Sequence, residues 1–316
     1  MRTCIIFNPT ARGNKARHFR HHLDEYAADC TLKLTTAVGD ARRLATQAVE
    51  EGFEIIAAAG GDGTLNEVLN GIVDAPNGFA RARLGVLPLG TVNVFAREVQ
   101  IPLKLKDAWQ TLRTGRETLI DLGLVDYQEK GVPARRYFAQ LAGAGLDARA
   151  IELVDWRLKK KIGPLAYVVA GLRALMESQA KITVTNGKTE GTGELVLIGN
   201  GSLYGGDFRV FPPADMRDGF MDACVFSKVN FPTLLRCAPR LLIRGTLPKA
   251  ATANIRSESL TLTSASKVPF EVDGEFVGYL PATFSMRRMQ LRVIVPPLIS
   301  GSDKRKPAAD FATPSA

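Results

Sequence analysis

The sequence is 316 residues long and carries a formal net charge of +9, with an isoelectric point near 9.5. This length accommodates two domains with apolar cores, and the composition is typical of globular proteins rather than of disordered or repetitive chains. The positive charge indicates an anionic partner such as a nucleotide, a nucleic acid or an acidic membrane surface. The cysteines at 4, 30, 224 and 237 show no CxxC spacing, which is typical of inert thiols in a reducing compartment.

No segment has the features of a secretory signal or of a membrane span. The first apolar run, residues 1–8, is too short for a signal peptide and ends at an Asn-Pro pair. The longest apolar segment, residues 162–176, is interrupted by Gly163-Pro164 and by Arg173. It falls short of the roughly 20 residues that a spanning helix needs. We therefore expect a cytoplasmic protein that meets membranes only at their surface.

The first 120 residues alternate short apolar strands with helices. Strands are predicted at residues 3–7, 32–36, 53–58 and 84–88, and helices at 16–28, after Gly39 and at 64–72. This alternation predicts a parallel, doubly wound sheet, in which a ligand sits beyond the carboxyl ends of the strands. Asn8, Thr35, Gly90 and Thr91 follow such ends, so we expect them to line one crevice together with the loop after residue 58.

That loop reads Gly60-Gly61-Asp62-Gly63-Thr64 and separates a buried strand from a helix. Glycines let a backbone approach a ligand closely, and the N–H groups at a helix start favour an anion. Thr64 is predicted to be the N-cap, with Glu67 as its capping-box partner. An aspartate would repel phosphate directly, so Asp62 is expected to act through a metal ion or to orient a reacting hydroxyl. A simple tight turn is the alternative, but the pattern favours a nucleotide site.

The pattern changes near residue 118 to alternating, β-branched stretches separated by turns. Strands are predicted at residues 119–127, 136–142, 181–185, 194–199, 219–226, 255–263 and 268–273, with helical insertions at about 148–178 and 231–245. This predicts a second, mainly antiparallel, sandwich-like domain. We expect a nucleotide-binding domain at 1–120, a β-rich domain at 121–299 and a disordered polar tail at 300–316.

Two acidic turns in the second half are candidates for chemistry. Asp215 and Asp218 stand three residues apart, directly before Gly219. The segment could therefore offer two carboxylates and a backbone carbonyl to a hard cation. A solvated acidic turn is the alternative. The triplet Asp273-Gly274-Glu275 is typical of a strand-end turn that holds a carboxylate rigidly, as a general base requires. A surface hairpin is the alternative there.

Five segments together resemble, in the same order, the motifs of the soluble diacylglycerol-kinase-type lipid kinases. They are GGDGTLNEV at 60–68, LPLGTVN at 87–93, GAGLDA at 143–148, DMRDG at 215–219 and DGE at 273–275. That family includes sphingosine and ceramide kinases and is more distantly similar to NAD kinases and phosphofructokinases. The resemblance covers about residues 1–295, and the joint occurrence is far more specific than any one motif.

The resemblance implies an NAD-kinase-like or phosphofructokinase-like α/β domain that binds ATP, and transfer of its γ-phosphoryl to a lipid hydroxyl. It leaves open a return of the end of the chain to the first domain. It implies Glu275 as the general base, and Asp62 as a residue that acts through ATP-bound magnesium or orients the acceptor. The implied nucleotide-binding residues are Asn8, Thr35, Gly60, Gly61, Asp62, Gly63, Thr64, Asn66, Gly90 and Thr91. A structural Mg²⁺ would be held by Asp215, Asp218 and the carbonyl of Phe220. Val94 departs from the family pattern, where many members have aspartate.

Diacylglycerol, which would give phosphatidic acid, is the first choice of acceptor, and a sphingoid base, ceramide or monoacylglycerol stay open. A soluble-metabolite kinase of the NAD-kinase type and a non-catalytic lipid-binding protein also stay open as functions. The basic cluster at residues 156–161, beside an apolar helix, suits docking on an anionic bilayer, although a core helix with a charged end is as consistent with it. No nucleic-acid-binding motif accompanies the charge. A homodimer is left open.

Overall fold

The computed structural model describes residues 1–11, 19–20, 29–154, 165–248 and 252–297. The helix predicted over residues 16–28 lies mostly outside these ranges, and the basic cluster at 156–161 and the tail at 300–316 lie wholly outside them. Within the described ranges, no helix combines the length and the apolar character that crossing a membrane would require.

The described part of the chain folds into two β-sheets with helices packed against them. Its strands are β1 (Thr3–Phe7), β2 (Thr31–Leu34), β3 (Ile55–Gly60), β4 (Arg83–Pro88), β5 (Arg116–Glu129), β6 (Val132–Phe138), β7 (Leu141–Gly145), β8 (Ile182–Thr185), β9 (Glu190–Gly193), β10 (Leu195–Gly199), β11 (Met221–Phe226), β12 (Ala253–Ser257), β13 (Ser259–Thr263), β14 (Pro269–Val272), β15 (Glu275–Tyr279) and β16 (Ala282–Val295). Its helices are α1 (Asp40–Glu50), α2 (Asp62–Asp74), α3 (Gly78–Arg81), α4 (Val94–Glu98), α5 (Leu105–Thr114), α6 (Leu146–Glu152), α7 (Leu165–Met176) and α8 (Phe231–Arg244).

The first half forms the parallel α/β unit that the alternation predicts. β1 pairs in parallel with β2 and β3, and β3 pairs in parallel with β4. The six residues of β3 are all buried, as expected for a strand covered on both faces. Helices α1 and α2 cross closely at Gly71, where a Cβ atom would lie 2.6 Å from the Cβ of Ala45. The predicted α/β class is confirmed.

The second half forms a mainly antiparallel sandwich, as predicted. One sheet has the strand order β12-β11-β10-β7-β14-β15 and faces strands of the larger sheet. Phe270 lies between the facing layers and makes an edge-to-face contact with Phe284 at 5.9 Å between ring centroids. The strand predicted over residues 255–263 is two strands: β12 pairs with β11, and β13 pairs with β16 and β8. The chain crosses between the sheets at Glu258, and a local alternation pattern does not reveal such a crossing.

Strand β16 joins the two halves; no strand was predicted at these residues, although the family resemblance leaves open a return of the chain's end to the first domain. It pairs along its length with β5, antiparallel, and reaches β4 in parallel at the Val293–Leu84 pair. The large sheet therefore contains ten strands in all. Its register shifts between Arg287 and Leu291, and Met289 adopts a left-handed φ of 47°. This irregularity breaks the alternation on which strand prediction depends.

Candidate active site

Several predicted site residues meet at the carboxyl edge of the parallel strands. The backbone N–H of Asn8 donates to the carbonyl of Ala59 at 3.0 Å, and the N–H of Gly90 donates to the carbonyl of Gly60 at 3.1 Å. Thr35 directly follows β2 and is buried at the same edge. Parallel strands end on one side of a sheet, so the loops after β1, β2, β3 and β4 surround one crevice.

Glycines allow three of these segments to touch. A Cβ atom on Gly90 would lie 2.5 Å from the Cα atom of Gly61, so the loops after β3 and β4 meet backbone to backbone. A Cβ atom on Gly63 would lie 2.5 Å from Oε1 of Glu275. The predicted general base therefore lies against the first turn of α2. Residues 212 positions apart in sequence (275 minus 63) come into direct contact there.

The predicted capping box at the start of α2 is wrong. The helix begins at Asp62, its N-cap is Gly61, and no side chain caps it. Thr64 lies in the first turn, and its hydroxyl accepts a hydrogen bond from the side-chain amide of Asn8 at 3.1 Å. The carboxylate of Glu67 instead accepts two backbone N–H groups at the start of α1, at 2.9 and 3.0 Å. An uncapped helix start offers its N–H groups to an anion.

The carboxylate of Asp62 holds the second predicted nucleotide segment. Its Oδ1 accepts the N–H of Phe95 at 3.2 Å, and the backbone N–H groups of Val94 and Asn93 also donate to it. The Asn93 side chain closes the turn before α4 through two hydrogen bonds with Gly90, at 3.0 and 2.7 Å. Burial raises the pKa of Asp62, and the three backbone hydrogen bonds oppose that rise. Asp62 therefore positions the Gly90 loop; its action on magnesium or the acceptor stays a prediction.

Glu275 is paired with Arg136, a residue that the sequence did not single out. The guanidinium binds Oε2 of Glu275, and its Nε and Nη2 donate to Oδ1 of Asn66 at 2.9 and 2.8 Å. The Glu275 side chain remains 31% exposed to solvent. Burial raises the pKa of Glu275, and the positive charge of Arg136 opposes that rise.

The turn that carries Glu275 is locked by Asp273. The backbone of Asp273 has a left-handed φ of 48°, a conformation that aspartate tolerates better than most residues. Its carboxylate accepts three N–H groups from residues 139–141 at 2.8, 2.9 and 3.1 Å. It also accepts the Asn66 amide at 2.8 Å. Asn66 was predicted to line the nucleotide. Its side-chain amide instead donates to Asp273 and accepts hydrogen bonds from Arg136.

A second group of buried acids lies behind this turn. A Cβ atom on Gly143 would lie 2.8 Å from Oδ2 of Asp147 and 2.9 Å from Oε1 of Glu271, so the two carboxyl groups face each other over this glycine. Glu271 accepts the N–H of Gly274 at 2.7 Å, and the Tyr204 hydroxyl donates to Asp147. Burial raises the pKa of both acids, and the negative charge of Asp147 raises the pKa of Glu271 further. Both carboxyl groups therefore hold their protons more tightly than exposed carboxyl groups do.

The sequence did not identify Arg136 and Glu271 as candidate site residues. Each lies in a segment that was predicted to be a strand from its apolar pattern alone. A signal was available for Glu271, since it is the charged residue of the four-residue strand Pro269–Val272, all of which is buried. A charge at a position of that kind is seldom buried without a partner or a function. No comparable local signal distinguishes Arg136 from its neighbour Arg135.

The predicted magnesium ligands do not form a cation site. Asp215 is ion-paired with Arg217 at 3.1 Å, and Asp218 with Arg256 at 2.5 Å. The Arg256 guanidinium also lies 5.2 Å from the centroid of the Phe220 ring. In the ranges that the structure describes, no three His, Cys, Asp or Glu side chains converge for a metal. Each carboxylate already faces a positive charge, so the residues do not fit a bound Mg²⁺ and we assign it no step.

The same segment has a clear role in the fold. Asp121 of β5 is fully buried and accepts the N–H of Gly219 and the N–H of Met289, both at 2.7 Å. Gly219 has a left-handed φ of 79°, which a glycine adopts without strain. Through Asp121, the turn at 215–219 is attached to β5 and to the irregular part of β16.

A cavity of about 400 Å³ opens beyond Gly145 and is lined mostly by polar and charged side chains. Arg149 is ion-paired with Glu152 at 2.7 Å, and the Tyr279 hydroxyl donates to Glu152 at 2.5 Å. The ammonium of Lys267 lies 3.9 Å from the centroid of the Tyr279 ring. A lining of this kind accommodates polar groups and does not suit an acyl chain.

Solved structures share this fold. The crystal structure of a diacylglycerol kinase from Bacillus anthracis str. Sterne has a TM-score of 0.70 at 20% identity, over 93% of this chain and 96% of that one. A second structure from the same organism has a TM-score of 0.73 at 21% identity, over 93% and 97%. At these identities the likeness shows the fold alone.

Sequence similarity shows the family as well as the fold. The diacylglycerol kinase catalytic domain model matches residues 2–125, and the YegS C-terminal NAD kinase beta sandwich-like domain model matches residues 140–295. A diacylglycerol kinase of Staphylococcus saprophyticus is 30% identical over 303 residues, which are 93% of this chain and 95% of the relative. One from Staphylococcus epidermidis is 30% identical over 305 residues, 93% of this chain and 92% of the relative. This chain therefore belongs to the diacylglycerol kinase family and is a lipid kinase.

Proposed function

We propose that this lipid kinase transfers the γ-phosphoryl of ATP to the free hydroxyl of diacylglycerol and releases phosphatidic acid and ADP. The observation that carries the proposal is the contact between Glu275 and Gly63, where a Cβ would lie 2.5 Å from the carboxylate. It brings a candidate base to the glycine turn that, in this proposal, receives the phosphates of ATP. The choice of diacylglycerol is supported by the names of the staphylococcal relatives.

In this proposal ATP enters as its magnesium complex and binds at the carboxyl edge of β1, β3 and β4. The first N–H groups of α2 donate to its phosphates, and Asn8, Thr35, Gly90 and Thr91 line the crevice. Asp62 has two tasks: it fixes the Gly90 loop through its three backbone hydrogen bonds, and it contributes negative charge toward the magnesium of the co-substrate. Phosphoryl transfer depends mainly on such positioning and charge neutralisation.

Glu275 is the proposed general base. The acceptor oxygen forms a bond to the γ-phosphorus while the bond from that phosphorus to the β–γ bridging oxygen breaks, and ADP leaves. The hydroxyl proton moves to the Glu275 carboxylate. Burial raises the pKa of this carboxyl, which makes it a better proton acceptor, and the positive charge of Arg136 opposes the rise and so favours the ionised form.

We also propose a peripheral association with an anionic membrane surface. Diacylglycerol resides in bilayers, and the chain carries a net charge of +9, so attraction to acidic lipids would bring the crevice to its acceptor. The predicted docking cluster at residues 156–161 lies outside the described residues.

Transfer of label from [γ-³²P]ATP into organic-extractable product tests the function. Diacylglycerol, monoacylglycerol, ceramide and sphingosine are offered separately in mixed micelles with magnesium. We expect labelled phosphatidic acid, its loss in Glu275→Gln with ATP binding retained, and normal activity in the matched control Glu129→Gln on the exposed end of β5. Label only in ceramide or sphingosine would replace diacylglycerol as the acceptor. No labelled lipid from a protein that binds ATP would overturn the proposal.

A further inference from the structure

Helix α8 exposes large apolar side chains. Phe231 is 66% exposed, Leu235 64% and Ile243 82%, whereas Cys237 is buried beneath the helix. One exposed apolar residue needs no explanation, but three on a single helix of 14 residues form a patch. Apolar exposure of this kind marks a surface for interaction with a partner.

The same helix carries a row of positive charge. Arg236, Arg240 and Arg244 are spaced four apart and all are exposed, so they form a row along the helix. Between residues 223 and 257 the sequence contains six lysines and arginines and no aspartate or glutamate. The surface around α8 is consequently basic as well as apolar.

The apolar and basic rows lie side by side. Neighbouring helix positions are about 100° apart, so the arginine row that begins at Arg236 runs beside the row of Phe231 and Leu235. The opposite side of the helix packs through Cys237 and Leu241 on the six-stranded sheet that contains β10 and β11. The helix is thus anchored by one side, and its other side presents apolar and cationic groups together.

Helix α7 packs on the same apolar cluster as α8 and also exposes apolar side chains. Its Leu175 packs on the same apolar cluster as Leu241 of α8, while Leu172 is 51% exposed and Met176 89% exposed. Arg173 lies between them and is also exposed. We call the exposed side chains of the two helices the docking face; it consists of Leu172, Arg173, Met176, Phe231, Leu235, Arg236, Arg240, Ile243 and Arg244.

We propose that the docking face binds an anionic phospholipid bilayer, with α8 lying in the plane of the membrane surface. The inference rests on the proposed function, in which the acceptor is a membrane lipid. Apolar side chains of such a helix enter the headgroup region while its cations bind lipid phosphates. A second copy of the chain is a poor occupant, because two identical arginine rows would repel each other.

Sedimentation with lipid vesicles, without ATP, tests the docking face separately from catalysis. We expect the protein to bind phosphatidylglycerol–phosphatidylcholine vesicles and to bind pure phosphatidylcholine far more weakly. The triple variant R236Q/R240Q/R244Q should bind acidic vesicles on the order of a hundredfold more weakly, since each cation contributes a several-fold factor. Phe231→Ser with Leu235→Ser should weaken binding even at high salt, where the electrostatic part is screened.

Matched controls lie elsewhere on the surface. Arg116→Gln with Arg287→Gln removes two exposed arginines outside the docking face, and Val132→Ser removes a side chain that is 64% exposed. Both controls should bind vesicles as the unaltered protein does. All the substituted side chains are exposed, so we expect each variant to fold. Circular dichroism and thermal melting check this.

The results separate the two proposals. Vesicle binding that is equal in the triple variant and the unaltered protein, or that is absent throughout, would overturn the docking face. So would a doubled mass in sedimentation equilibrium that the α8 substitutions abolish. With a short-chain diacylglycerol dissolved as monomers, the α8 variants should retain full turnover. If the protein binds vesicles but phosphorylates no lipid, the proposed function fails and the docking face stands.

Discussion

Glu275 lies directly against Gly63, and there is no room between them for a methyl group: a Cβ at position 63 would approach Oε1 of Glu275 to 2.5 Å. This contact joins the turn after β3 to the turn before β15. The position of the candidate base therefore depends on the absence of a side chain at residue 63.

Gly63→Ala should displace the Glu275 carboxylate and separate it from Arg136. We expect kcat to fall on the order of a hundredfold, because small displacements of a reacting group have effects of that size. The melting temperature should change little, since the tip of a flexible side chain can move. Gly171→Ala is the control, as a Cβ there meets nothing within 4 Å. Unchanged kcat in Gly63→Ala would contradict the role of this contact.

Arg136→Gln should shift the acid limb of the pH–rate profile to higher pH. Burial raises the pKa of Glu275 and Arg136 opposes that rise, so loss of the guanidinium leaves the carboxyl protonated up to a higher pH. As a base must be ionised, activity would then appear only at higher pH. The profile of kcat/KM measures this, and Arg136→Lys should restore part of the shift. An acid limb that stays in place would show that Arg136 does not tune Glu275.

Glu271→Gln should stabilise the protein at alkaline pH. Burial and the neighbouring Asp147 raise the folded-state pKa of Glu271 above its ordinary value of 4.5. The folded state therefore holds its proton more tightly than the unfolded state, and this contribution is lost as pH rises from 4.5 through the folded pKa. Glutamine stays neutral and can still accept the N–H of Gly274. Its melting temperature should exceed that of the unaltered protein at pH 9 and approach it at pH 5.

The matched control for that experiment is Glu129→Gln, which replaces an exposed carboxylate at the end of β5. Its melting curve should follow that of the unaltered protein across the pH range. A Glu271→Gln variant that is less stable at pH 9 would indicate that the ionised carboxylate is required by the fold.

Asn93→Ala should weaken ATP binding. The side chain makes two hydrogen bonds to Gly90, and the backbone has a left-handed φ of 54°, which costs alanine more than asparagine. We expect KM for ATP to rise about tenfold, in line with the loss of one to two hydrogen bonds. Asn93→Gly removes the same two hydrogen bonds without backbone strain, so it separates their effect on ATP binding from that of the strain. Equal ATP affinity in all three proteins would show that this turn does not form the nucleotide site.

The family and the α/β-plus-sandwich architecture could be predicted from the sequence because their signals are local. The glycine turn at 60–64, the alternation of strands and helices, and the DGE triplet at 273–275 each lie within a few neighbouring residues. Periodicity and turn chemistry act over that range. The adjacency of Asn8, Thr35 and Gly90 followed from the same logic, since parallel strands end at one edge.

Tertiary structure decided the partners of these residues. Thr64 and Glu67 have the spacing of a capping box, yet Thr64 binds Asn8 and Glu67 binds the start of α1. Both partners are distant in sequence and reach these side chains only in the folded chain. Asp215 and Asp218 match a cation site by spacing, yet each faces an arginine. Whether a carboxylate meets a metal or a guanidinium depends on distant chain segments, which the spacing of two aspartates does not specify.

The sequence by itself determined which chemical groups are present and which local turns carry them: the glycines of the turn at 60–64, the Glu275 carboxylate and the strands beside them. Only the tertiary structure decided that Arg136 binds Glu275, that Asp147 and Glu271 face each other, and that α8 leaves an apolar, basic surface exposed. The physical reason is that short-range backbone preferences act between neighbouring residues. Ion pairing, burial and shifts in pKa depend instead on groups that approach each other only when the chain has folded.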